Sequence, residues 1–280
     1  MSSNQLLSSW EELAYARRFL VKDFLAFPLF LASYLAQAFI LELQSPVCTE
    51  PTAAQIPFWV ILTQALLVAV ALMAMLEQLT PVPTKGEPLY EVQHYWGRWI
   101  FLTRHCIMLQ GFHMILSFGG AVLASAWLQH LTENMTFWIG SLGSFVTILF
   151  FGVAYNTPEF KRRCEEAAAR DPPEPFRRKA VTTHLPGLLL AVLDILLAKR
   201  HANLQQEFFL VGSLAMALIY LSLYVVMLAS NYCATGHWPY PELLNNLTVL
   251  KWLAFIFGLL FFVALLCSVL WSLSWLPSAW

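Results

Sequence analysis

From Phe24 to Leu276, apolar runs follow one another with no soluble-sized block between them. That succession ties the chain to a membrane. A run of about 20 apolar residues, rising 1.5 Å each, crosses the roughly 30 Å hydrocarbon layer as a helix. Phe24–Leu41, Ile56–Leu76, Arg98–Leu128, Phe137–Tyr155, Phe208–Ala229 and Trp252–Leu276 are of that order. Leu185–Ala198 covers only about 21 Å and falls short unless its polar flanks enter the bilayer. Of the 280 residues, 59% are apolar and 12% charged, about half the charged share of an ordinary soluble domain. The expected fold is all-α: a polytopic transmembrane helix bundle over 24–280 with about six to seven membrane segments. Residues 1–23 form an amphipathic or polar N-terminal segment, in which Leu6, Leu7, Trp10, Leu13 and Ala14 recur at helical spacing, as on a helix lying along headgroups.

Charge fixes an expected orientation. The polar stretch Asn156–Thr183 holds seven basic residues around Pro172-Pro173, and such loops stay on the cytoplasmic side. Arg17, Arg18 and Lys22 favour an inside N-terminus, which agrees after four crossings. Seven crossings then leave Lys199 and Arg200 outside against the bias, unless 185–198 is re-entrant. A net charge of −1 gives no footprint for nucleic acid. The cysteines (Cys48, Cys106, Cys164, Cys233, Cys267) show no C-x-x-C pair, so neither a disulfide framework nor a metal site is expected. His113 alone lies well inside an apolar segment, which leaves no matched pair for a haem, and no cofactor is expected.

The informative residues are polar ones placed where lipid makes them costly. Thr103, Cys106, Gln110, His113 and Ser117 advance by three or four and share a stripe about 80° wide on one helix. Such a stripe faces other helices or a water-filled cavity. Arg104 and His105 fall off it and can snorkel to the headgroups. Asp194 stands among leucines, valine and isoleucine, where an acid disfavours insertion by roughly 2.5–3.5 kcal/mol; it needs a partner or water. His184 precedes Leu185-Pro186-Gly187, and the residue before a proline resists helical geometry, so His184 is expected at a helix entry rather than inside a helix. Read from residues alone, each of these suits a structural role as well as a functional one.

Three patterns in order add to that reading: Trp99-Ile-Phe-Leu-Thr103, His184 with Asp194 ten residues on, and Thr235-Gly236-His237-Trp238-Pro239-Tyr240-Pro241. Together they resemble the androgen-induced and androgen-dependent TFPI-regulating protein family of membrane threonine hydrolases. The resemblance covers roughly Trp99 to Leu270 and marks 98–272 as a hydrolase-like region, with about 95 N-terminal residues lacking a counterpart. It implies cleavage of fatty acid esters of hydroxy fatty acids, with the motif Thr as nucleophile and the motif His as base, here Thr103 and His184. The chain departs from the family in having Ala180 in place of Asn, Asp194 in place of the usual Glu, and a proline closer to the His.

Elementary chemistry agrees in part, since a threonine hydroxyl is a poor nucleophile until a base takes its proton. Asp194, about 15 Å from His184 along one continuous helix, is too distant to complete a triad. It joins Gln110, His113, Trp238 and Tyr240 as a candidate for contact with substrate or water. The partner implied is a lipid drawn sideways from the bilayer, and by analogy the membrane is the endoplasmic reticulum or the plasma membrane. The same interior polar residues also suit a non-enzymatic multi-pass receptor- or transporter-like protein.

Overall fold

The computed structural model describes residues 3–44, 56–77, 92–93, 95–169, 175–240, 244 and 248–277. Every regular element among them is helical: α1 (Ser3–Gln44), α2 (Phe58–Glu77), a 3-10 turn (Gly97–Ile100), α3 (Leu102–Val122), α4 (Ala126–Leu149) with a π turn (Phe150–Ala154), α5 (Pro158–Ala168), α6 (Phe176–His184), α7 (Pro186–Leu193) with a π turn (Asp194–Ala198), α8 (His201–Leu204), α9 (Glu207–Thr235) and α10 (Val249–Leu273). The amphipathic face expected over 1–23 falls largely on side chains outside the described residues, as do Pro172, Pro173 and Pro241. The α1 backbone runs unbroken past residue 23, so any N-terminal segment shares one helix with the first span.

Seven stretches among the described residues are long and apolar enough to cross a membrane: Val21–Leu43, Phe58–Glu77, Leu102–Val122, Ala126–Ala154, Phe176–Ala198, Phe209–Thr235 and Leu250–Leu273. The fifth is longer than the apolar run Leu185–Ala198, because its polar flank belongs to the same helical stretch. Leu185, although it precedes Pro186, keeps helical geometry (φ −64°, ψ −40°) and joins α6 to α7. The span has 23 residues, about 34 Å at the helical rise. His184 therefore lies within a kinked span, not at the entry to one.

The two innermost helices are α3 and α4. From Leu131 to Thr147 every residue of α4 is buried, because other spans pack on all its faces. Outward faces such as Leu66, Met73 and Leu76 of α2 and Phe257 and Phe261 of α10 are exposed, as lipid-facing surface can be. Small residues let the inner backbones close up, the usual device in a membrane where apolar side chains gain nothing by hiding from lipid. A Cβ on Gly140 would meet Ala191 Cβ and Leu270 Cδ1 at 3.1 Å, and one on Gly187 would collide with the Gly143 carbonyl oxygen. Gly187→Ala is thus expected to force α7 off α4 and cost about 1–3 kcal/mol, read as a lower thermal midpoint of the purified protein. Gly119→Ala, where an added Cβ meets nothing within 4 Å, is the control and leaves the midpoint unchanged or raised.

Candidate active site

Phe101 is extended (φ −92°, ψ 122°), so α3 begins at Leu102 and Thr103 lies in its first turn. First-turn N–H groups have no acceptor within their own helix. The Leu102 N–H donates to the hydroxyls of Tyr224 and Tyr240, each at 3.0 Å, and the Tyr224 hydroxyl donates to the Ile100 carbonyl at 2.8 Å. Burial pushes the Tyr240 phenol up to about 12, so it stays a neutral hydroxyl at physiological pH.

The turn after α9 delivers Tyr240 there. Gly236 takes the left-handed backbone (φ 71°) that closes α9, a conformation glycine adopts without a steric penalty. The Thr235 hydroxyl accepts the His237 N–H at 3.1 Å. Trp238 stacks on Tyr232 with ring centroids 4.3 Å apart and packs on Trp252. The Thr-Gly pair of the third motif is therefore a helix cap. Its Tyr holds the start of α3, and its Trp packs on the Tyr232 and Trp252 rings.

Opposite Thr103 stands His184, its Nε2 3.3 Å from the Thr103 Oγ1. The other ring nitrogen, Nδ1, is 2.7 Å from the Ala180 carbonyl oxygen. A carbonyl can only accept, so the proton of the neutral ring sits on Nδ1 and the Nε2 lone pair faces the threonine hydroxyl. Phe150, the first residue of the π turn after α4, stacks on the imidazole at 3.7 Å and 10°. The main chain of Ala180 orients the ring, whatever side chain that position bears.

The remaining candidates gather about 15 Å further along α3. His113 Nε2 lies 3.1 Å from Asp194 Oδ2, and its Nδ1 is 3.0 Å from the Tyr34 hydroxyl. Lys199 Nζ donates to the hydroxyls of Ser117 and Thr132, both at 2.9 Å, and stands 4.0 Å from Asp194 Oδ2. Asp194 is 1% exposed and Lys199 4%, so the Lys199 charge, just past the fifth span, is buried among helices. Gln110 lies between the two groups and donates to the Gly187 carbonyl at 2.8 Å. His105, expected to snorkel, is buried between the Tyr220 hydroxyl and the Trp99 carbonyl instead.

Sequence reasoning missed Tyr34, Glu133, Thr147 and the buried state of Lys199. Glu133 sits fully inside the bundle, accepting from Asn203 Nδ2 at 3.1 and 3.0 Å; it stands in the polar stretch between two apolar runs, which reads as a loop and gave no signal of burial. Among the described residues no group of three or more His, Cys, Asp and Glu converges as metal ligands.

A family model described as FAR-17a/AIG1-like protein matches residues 56–274. The match begins well before residue 98 and takes in α2, so less of the N-terminal part lies outside the family region than the motifs alone implied. No curated protein and no solved structure matches the chain.

Proposed function

Because the chain belongs to the FAR-17a/AIG1-like family, we propose that this multi-pass membrane protein is an intramembrane lipid-ester hydrolase with Thr103 as nucleophile and His184 as base. The supporting observation is the 3.3 Å separation of the Thr103 hydroxyl from a His184 Nε2 left unprotonated by the Ala180 contact. Catalytic hydrogen bonds of this kind are often loose without substrate and tighten when it binds.

In the proposed reaction His184 Nε2 takes the Thr103 proton as Oγ1 bonds to the ester carbonyl carbon, and the carbonyl oxygen becomes an oxyanion. The Thr103 N–H and the positive end of α3 stabilise that charge. Collapse of the intermediate expels the alkoxide, which takes the proton from the His184 imidazolium and departs as a hydroxy fatty acid. Water, deprotonated by His184, then attacks the acyl-threonine, and the second acid leaves as the Thr103 oxygen takes the proton back from the His184 imidazolium.

The proposed substrates are fatty acid esters of hydroxy fatty acids. Their chains partition into lipid at about 0.8 kcal/mol per CH₂, so a site reached from the bilayer spares them a passage through water. The proposed membrane is the endoplasmic reticulum or the plasma membrane.

Purified protein in liposomes containing such an ester is expected to release the two acids in equal amounts. Folded protein that releases neither would favour the receptor- or transporter-like reading, which the buried Asp194 and Lys199 also suit.

A further inference from the structure

We propose that Thr147, on α4, is a positioning residue for His184: its hydroxyl occupies the break in the fifth span and fixes where the imidazole stands. This rests on the hydrolase reading for its catalytic consequence, while its geometry is independent of that reading.

An unbroken helix would carry a hydrogen bond from the Leu188 N–H to the His184 carbonyl, four residues back. Pro186 lies between them, and its ring crowds the carbonyl four residues before it while offering no N–H of its own. Thr147 stands in the resulting opening. The Leu188 N–H donates to Thr147 Oγ1 at 3.1 Å, and the Thr147 hydroxyl donates to the His184 carbonyl at 2.5 Å. A side chain from another helix has thus replaced one rung of the ladder, a recognised cause of a helix kink.

The surroundings fit that insertion. A Cβ on Gly187 would lie 2.8 Å from Thr147 Oγ1, so glycine at 187 leaves the hydroxyl room. Three residues on from His184, the Gly187 carbonyl is held by Gln110 Nε2 at 2.8 Å. Gln110 lies on α3, the helix that also carries Thr103. Three residues beyond Thr147, Phe150 stacks on the imidazole face. The inner helix therefore grips His184 twice, at its carbonyl and at its ring, while α3 grips the same kink from the other side. A displacement of about 1 Å at a reacting group can cost about 100-fold in rate, and this double hold sets the distance between the two proposed reacting atoms.

Two substitutions separate positioning from bulk. Thr147→Val keeps the shape and removes the hydroxyl, whereas Thr147→Ser keeps the hydroxyl. In liposomes Thr147→Val is expected to lower kcat for ester hydrolysis about 30- to 100-fold with little change in KM, and Thr147→Ser to restore most of it.

A second readout needs no activity. Thr103→Cys and His184→Cys, with Cys48, Cys164 and Cys233 replaced by serine, are joined by a short thiol crosslinker. The yield should fall when Thr147→Val is added and recover with Thr147→Ser. A Thr147→Val enzyme with wild-type kcat, or a crosslink yield that Thr147→Val leaves unchanged, would overturn the positioning role. If the wild type cleaves no ester at all, the hydrolase reading fails separately and the crosslink alone decides the role of Thr147.

Discussion

Thr103→Ala is expected to lower ester hydrolysis by about 10³-fold or more, with the protein still folded and present at normal level. The side chain is half-buried in the first turn of α3, where loss of one hydroxyl and one methyl leaves no deep cavity, so the effect should fall on chemistry rather than stability. Thr103→Ser keeps the attacking oxygen and should retain measurable turnover. His184→Ala should match the loss, because a nucleophile without its base reacts little better than no nucleophile. Members of such a unit act together, so the double variant should be no slower than either single one. A double variant much slower than both would show that the two act separately, against a shared proton transfer. The measurement is initial rate in liposomes, normalised to folded protein.

Lys199→Met should unfold the bundle more readily, by about 3 kcal/mol, seen as a lower thermal midpoint in detergent. The ammonium holds the hydroxyls of Ser117 and Thr132 and offsets the charge of Asp194. Among the described residues Asp194 Oδ1 has no hydrogen-bond partner and Oδ2 has His113, so removing the cation leaves a buried carboxylate held by His113 alone. Breaking one side of a buried pair is costly because a charge is left uncompensated, whereas removing both sides is often close to neutral. Asp194→Asn combined with Lys199→Met should therefore recover most of the loss, since asparagine can still reach His113 without carrying charge. A double variant as unstable as the sum of the single ones would show that Asp194 and Lys199 do not stabilise each other.

The legibility of this architecture followed the cost of each feature in lipid. The α3 stripe was readable because polar side chains at helical spacing on an apolar helix must turn inward, and Cys106, Gln110, His113 and Ser117 are all buried. Asp194 announced itself as an acid among leucines. The true length of the fifth span did not, because the hydropathy of Phe176–His184 stops where its charges begin although the helix does not. Leu185-Pro186 reads as a helix entry, and the hydroxyl that keeps the kink helical comes from another span. Thr147 gave no signal of that role: a threonine in an apolar helix ordinarily bonds the carbonyl four residues back, as this one also does to Gly143 at 3.1 Å. Lys199 read as a flanking charge because Ser117 and Thr132, which bury it, lie on other helices. Spacing alone did not pair Thr103 with His184. Motif order did, and the side-chain geometry brings the two together.

In the proposed mechanism His184 makes the Thr103 oxygen nucleophilic. The most direct test of this is to treat the folded protein with a fluorophosphonate probe and locate the adduct by mass spectrometry of its peptides. The expected adduct lies on Thr103 in the wild type and disappears in His184→Ala. An adduct on another residue, or one on Thr103 that forms equally fast without His184, would contradict it.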